Sequence, residues 1–409
     1  MSTTSPIIFQ LPSGLRCVFS PVDSPVAYCA LGVAAGSRME PAKMNGLAHL
    51  TEHMLFKGTQ KRSAYYINTR LERLGGELNA YTTKEELVVH ATTLTDDLPK
   101  ALDLLSDLFF HATFPAQELL KEKEVVGDEI ALYKDAPAEV IMDEFDKELF
   151  GEHPLAAPIL GSRQSLAGIQ SCHIFDYAQR YFVPSQMILS VVAQVSERKM
   201  RSLAQHYFDL NSATFIHPPG YQGALPAPFF VEKKRHSRQS YCVLGGRAYN
   251  YSDARRVPLA LLVNLLGGMA SNSRLNLLLR EKHGIVYNVD ASYTPYSDLG
   301  MTEISFGSDK SNWKQCLALI HGELDRLCQS PMTEKQLQDA QKQLIGQLAI
   351  AADNAEAKCL NQLKSVMVFG KVEPPEQLEA RIRAVSAEAL MEIARDIFDS
   401  KLLSTMVYI

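Results

Sequence analysis

The sequence predicts an α+β fold of two homologous domains. Three observations carry that expectation. Each half of the 409 residues reads as strands together with helices. The second half restarts the succession of the first, which is the mark of an internal duplication. Between them, residues 211–228 contain Pro218, Pro219, Gly220, Gly223, Pro226 and Pro228 and keep no periodic pattern. Such a stretch reads as an interdomain linker. The expected domains are therefore 1–210 and 229–409, joined by 211–228.

In the first half, Ile7–Phe9, Arg16–Pro21 and Ala27–Val33 read as strands, and Pro12, Ser13, Gly14 and Asp23 mark turns between them. A helix is expected around 46–56, and a second from Ser63 to Leu74, ended by Gly75-Gly76. Glu77–Leu94 reads as a strand pair. Helices follow at Asp96–Phe109, Pro115–Tyr133, Pro137–Leu149 and 172–182. Met187–Val195 is an apolar, central strand, and Glu197–Phe208 a closing helix. In the second half, strands are expected at Phe229–Glu232, Gln239–Leu244, 286–295, 300–307 and Leu403–Tyr408. Helices are expected at 255–266, 273–283, 312–328 and 333–352.

Composition narrows the function. A hydrophobic fraction of 46% and a charged fraction of 21% are those of a globular protein. A net charge of −5 gives no reason to expect nucleic-acid binding. The seven cysteines are scattered and form no C-x-x-C, so neither a disulfide framework nor a thiolate zinc site is expected. The N-terminal residues show no secretion pattern, and the longest apolar run, Val257–Ala270, is too short to span a membrane. A cytoplasmic protein is expected.

The chemistry concentrates at His49, Glu52 and His53, an H-x-x-E-H pattern. A helix turns about 100° per residue, so the two histidines stand one turn apart on one face. Leu47, Leu50, Met54 and Leu55 form an apolar stripe, and Asn45 is placed to cap the start. Two neutral ligands and a carboxylate base beside bound water are what a zinc hydrolase needs. The order is that of the inverzincins. An amphipathic helix with two chance histidines is the alternative, so the rest of the chain must supply a third ligand. Laying Ala30-Leu31-Gly32 on Val243-Leu244-Gly245 puts Leu262, Leu265 and Leu266 where the first half has His49, Glu52 and His53. Polar groups on a helix face that is apolar in the second copy cost free energy unless they are paired or bound to a metal. The helix 115–133 offers Glu118, Glu122, Glu124, Asp128 and Glu129. Glu122 and Glu129 are two turns apart on one face, so one can ligate while the other orients a ligand histidine. Spacing does not choose between them.

The run His49-Leu-Thr-Glu52-His53-Met-Leu-Phe-Lys-Gly58-Thr59 resembles the pitrilysin/insulinase family, especially its half-length branch similar to mitochondrial processing peptidase. That resemblance implies the processing-peptidase/LuxS-like metallohydrolase fold, each domain a mainly antiparallel sheet with helices packed on it. It implies one zinc per chain on His49, His53 and Glu129, with Glu52 as general base and Glu122 behind a ligand histidine. Seventy-five residues lie between His53 and Glu129, as in the family. Gly75-Gly-Glu-Leu-Asn79-Ala80-Tyr-Thr82 resembles the family's edge strand, implying that Asn79 and Ala80 hold a peptide substrate by strand addition. Ser273-Arg-Leu-Asn-Leu-Leu-Leu-Arg280-Glu-Lys-His-Gly284-Ile-Val-Tyr287 resembles its partner motif, implying catalytic roles for Arg280 and Tyr287. Ser-Asn-Ser at 271–273 departs from relatives richer in glycine there. The implied function is a zinc endopeptidase acting on short or unfolded peptides in a closing chamber. With both motifs in one chain, a homodimer is expected, a heteromer with a homologous subunit being the alternative. A non-catalytic scaffold subunit and a dedicated leader-peptide protease are the competing readings.

Overall fold

The computed structural model describes residues 5–211 and 220–409, so 212–219 of the expected linker lie outside the described residues. Neither 211 nor 220–228 forms a helix or strand. The first half runs β1 (Ile7–Gln10), β2 (Arg16–Pro21), β3 (Val26–Val33), α1 (Leu47–Leu55), α2 (Ala64–Glu72), β4 (Glu77–Thr82) and β5 (Leu87–Leu94). It continues with α3 (Leu98–His111), α4 (Ala116–Lys134), α5 (Pro137–Phe150), α6 (Arg163–Gly168), α7 (Ser171–Tyr181), β6 (Met187–Ala193) and α8 (Glu197–Tyr207). The second half runs β7 (Phe230–Lys233), β8 (Gln239–Ala248), α9 (Arg256–Gly267), β9 (Val286–Pro295), β10 (Gly300–Asp309), α10 (Trp313–Gln329) and α11 (Glu334–Asp353). It closes with α12 (Ala355–Phe369), α13 (Pro375–Arg383), α14 (Ala387–Phe398) and β11 (Ser404–Tyr408).

The duplication is visible in the sheets. One has the order β1-β2-β6-β3-β5-β4 and the other β7-β11-β8-β10-β9. Each contains a single parallel pair, β2 with β6 and β7 with β11, and is otherwise antiparallel. Strands β2 to β6 therefore match β7, β8, β9, β10 and β11 one for one, and β1 is an addition. Ala30 on β3 lies opposite His90 and Ser190, while Val243 on β8 lies opposite Ser305 and Met406. The two central strands hold the same place, as the sequence alignment requires.

The two units are not the two linear halves. One consists of 1–131, 157–219 and 350–374, the other of 132–156, 220–349 and 375–409. The division at 211–228 is thus crossed in both directions. The reason is that both faces of each sheet are apolar. On the first sheet Cys17, Phe19, Cys29, Leu31, Val89, Leu189 and Val191 face the core built with α1 and α3. The alternate residues Val18, Ala30, Val88, Ile188 and Val192 face the other way. They are covered by Cys359, Leu363 and Val366 of α12, which comes from the second half. On the second sheet Val243, Met301, Met406 and Tyr408 are covered by Ile141, Phe145 and Leu149 of α5, from the first half. Helices in matching positions of the two copies are exchanged. Strands with apolar residues on both faces read as continuous hydrophobic runs, which is why β6 is buried along its whole length.

Leu363 is fully buried on the first sheet. Leu363→Ala should lower stability by about 2–5 kcal/mol, the range for truncating a buried leucine. Amide exchange should accelerate in β2, β3 and β6 and not in β8 or β11, measured by mass spectrometry on the intact chain.

Candidate metal centre

Helix α1 forms because its apolar side is fully used: Leu47, Ala48, Leu50, Met54 and Leu55 are all buried. Its start differs from the expected one. Asn45 does not cap it; Gly46 occupies the cap position with φ 89°, and no cap-position side chain accepts a hydrogen bond. A Cβ on Gly46 would come within 2.7 Å of the Leu160 carbonyl oxygen, so only glycine fits. The free backbone donors are satisfied from farther away. The Glu40 carboxylate accepts from the amides of Gly46 at 3.0 Å and Ala48 at 2.6 Å.

One turn apart on α1, His49 and His53 place their ring centroids 4.7 Å from each other. Glu129 of α4 brings Oε2 to 3.8 Å from His49 Nε2 and 3.9 Å from His53 Nε2. These gaps are too long for hydrogen bonds. Ligands at about 2.0–2.2 Å around a tetrahedral ion stand roughly 3.3–3.6 Å apart, so a small adjustment admits a zinc ion between them. Two imidazoles and one carboxylate, with a fourth position open, are the donor set of a catalytic zinc. Burial, with His53 adding to it, pushes the His49 pKa down to about 4. The imidazole is thereby kept in the neutral form that metals take. The choice between the two glutamates is made by position. Glu122 lies behind His53, with Oε2 at 3.0 Å from Nδ1 and Oε1 at 2.6 Å from Lys57 Nζ. A carboxylate can only accept, so His53 donates through Nδ1 and presents its Nε2 lone pair toward Glu129. His49 Nδ1 is buried without a hydrogen-bond partner among the described residues.

Glu52 follows the same helix turn. Its Oε2 accepts a hydrogen bond from Thr82 Oγ1 at 2.5 Å. Burial raises its pKa above the ordinary carboxylate range, against the pull of Thr82 and His53. A base with an elevated pKa transfers protons more effectively near neutrality. Thr82 closes β4, the edge strand of its sheet. Asn79 and Ala80 lie on that strand opposite His90 and Val89. Leu78 and Ala80 pack toward the α1 core, whereas Tyr81 packs on the face covered by α12 and Asn79 is exposed. The structure thus brings together His49, His53, Glu129, Glu52 and Glu122, with Asn79 and Ala80 on the strand whose last residue, Thr82, donates to Glu52. Arg280 and Tyr287 belong to the second unit. Arg280 is exposed on Asn276–Lys282, which winds as a π-helix within the expected helix 273–283. Gly284 follows it with φ 61°. Tyr287 is 56% exposed on β9 and donates to Asp309 Oδ1 at 2.7 Å. In the second copy Leu262 and Leu266 are fully buried core residues.

Nothing in the sequence pattern marks Lys57 or Thr82 as part of the site. Lys57 stands four residues after His53, and Thr82 two residues after Ala80 on the same strand face. Those spacings do not reveal the partners, which are distant in the chain.

A family model described as Insulinase (Peptidase family M16) matches residues 18–163, and one described as Peptidase M16 inactive domain matches residues 169–344. The chain is 32% identical over 396 residues to the uncharacterized zinc protease YmxG of Bacillus subtilis, covering 95% of each chain. It is 29% identical over 398 residues to an uncharacterized zinc protease of Streptomyces coelicolor, covering 95% of this chain and 86% of the relative. In fold it is similar to a protease from Helicobacter pylori, with a TM-score of 0.91 at 19% identity over 98% of this chain and 99% of the other. Among the described residues, no helix is long and apolar enough to cross a membrane.

Burial pushes the Glu40 carboxyl up to about 8, against its backbone donors and Lys84. Its folded pKa lies above the unfolded one, so its contribution is complete at low pH and lost as pH rises through about 8. Relative to Glu40→Gln, the wild-type chain should therefore lose thermal stability between about pH 5 and about pH 9. Metal-free melting curves of both proteins across that range measure the difference.

Proposed function

The chain belongs to the insulinase family of M16 peptidases, and on that premise we propose that it is a zinc-dependent endopeptidase. The observation that carries the proposal is the convergence of one ligand atom from each of His49, His53 and Glu129 to within 4.8 Å of one another, with Glu129 Oε2 3.8 and 3.9 Å from the two Nε2 atoms. Glu52 stands one residue from His53 with its carboxylate held by Thr82. His49, His53 and Glu129 would hold one zinc per chain, which when bound supplies the Lewis acidity that makes water nucleophilic near neutral pH. Glu52 takes the proton from the attacking water and returns it to the leaving amine.

The peptide adds as a strand to the free edge of β4. Main-chain hydrogen bonds then provide affinity with little demand on sequence. Asn79, exposed on that strand, bonds the peptide backbone, and Ala80 leaves room on the side facing the metal. Tyr287, aided by Arg280, donates to the oxyanion of the tetrahedral intermediate. In this reading the two domains enclose the substrate in a chamber that admits short or unfolded peptides, and a homodimer completes it. The intact ligand set, with Glu122 also in place, favours an enzyme over a non-catalytic subunit.

Digestion of a mixed peptide library, with and without chelator, tests the proposal and reports specificity together. Glu52→Gln should retain about one zinc per chain while lowering kcat by roughly 10²–10⁴-fold, the usual contribution of a general base. Unchanged turnover would remove Glu52 from its role. Tyr287→Phe should lower kcat by roughly 10²–10³-fold with zinc content unchanged, as loss of an oxyanion donor does; steady-state kinetics beside metal analysis decide it.

A further inference from the structure

We propose that Lys57 is a positioning residue for the metal, holding Glu122 against His53 so that the ligand imidazole is oriented before the ion arrives. The proposal rests on the metal reading above.

Glu122 is 5% exposed, so its two oxygens depend on protein partners. One faces Lys57 Nζ at 2.6 Å and the other His53 Nδ1 at 3.0 Å. Lys57 is itself fixed to the end of α1, where its backbone amide donates to the Met54 carbonyl at 3.2 Å. Its side chain then returns to α4. The ligands come from those two helices: His49 and His53 from α1, Glu129 from α4. Glu129 reaches the imidazoles at 3.8 and 3.9 Å, too far for hydrogen bonds that would tie the helices together. Lys57–Glu122–His53 does, two helical turns from Glu129 on the same face of α4. Without the ammonium, a buried carboxylate keeps one partner and is driven toward water. The His53 ring then loses what holds its Nε2 toward the metal position.

The test is zinc affinity, measured on the full-length protein by competition with a chromophoric chelator. Lys57→Met should weaken binding roughly tenfold to a hundredfold, the usual effect of removing a group that orients a ligand. Lys57→Arg should restore most of it. Arginine keeps the positive charge and a donor for the Glu122 carboxylate. Because Lys57 acts through Glu122, Lys57→Met combined with Glu122→Gln should be no weaker than Glu122→Gln alone. Lys57→Met binding zinc like the wild type overturns the proposal. So does an equal loss in Lys57→Arg, or a double variant weaker by the full factor of Lys57→Met. If Lys57→Met does not fold, Lys57→Gln in the same assay carries the decision. Failure of the metal reading itself is distinguishable, because the wild-type protein would then bind no zinc.

Discussion

Two imidazoles and the carboxyl groups of Glu52, Glu122 and Glu129 gather on the side of one nine-residue helix away from its apolar stripe, with a fourth carboxyl, Glu40, at its start, and the rest of the first unit is arranged to make that tolerable. Polar groups removed from water need partners. Glu122 has Lys57 and His53, Glu52 has Thr82, and Glu40 has the helix amides. His49, His53 and Glu129 stand too far apart to satisfy one another and close enough to share an ion. The second copy shows what the same position becomes without that chemistry. Leu262 and Leu266 fill a plain hydrophobic core, and no partner has to be provided.

The supporting groups come from three directions. Glu40 precedes α1 and fixes its start, α4 carries both Glu122 and Glu129, and β4 carries Thr82. Thr82 gives the arrangement a further consequence. The edge strand β4 ends in the residue that holds the Glu52 carboxylate, so an event at the sheet edge is one hydrogen bond from Glu52. The depressed His49 pKa and the raised Glu52 pKa have the same main cause, burial acting on groups of opposite charge type. A single desolvated site thus favours a neutral ligand and a more basic carboxylate together.

The exchange of α5 and α12 explains why a duplicated chain stays dependent on both copies. Each sheet has an apolar second face that its own half leaves uncovered. Ile141, Phe145 and Leu149 cover one, and Cys359, Leu363 and Val366 the other. A linear reading places each helix with the half in which it is encoded. Amphipathic periodicity says that a helix buries a stripe, not which sheet receives it.

Much of this protein was settled by local pattern. The order of strands and helices, the duplication, the face shared by His49 and His53, and the apolar counterpart at Leu262 and Leu266 follow from periodicity and spacing, which act over a few residues. Even Glu122 and Glu129 could be named as a pair, because seven residues return a helix to the same face. Tertiary structure decided which of the two faces both imidazoles. It also decided that Glu40, not Asn45, satisfies the start of α1, that Lys57 and Thr82 support Glu122 and Glu52, and that α5 and α12 change units. Each of these depends on a partner six to several hundred residues away, brought near by burial of surfaces that sequence spacing does not rank.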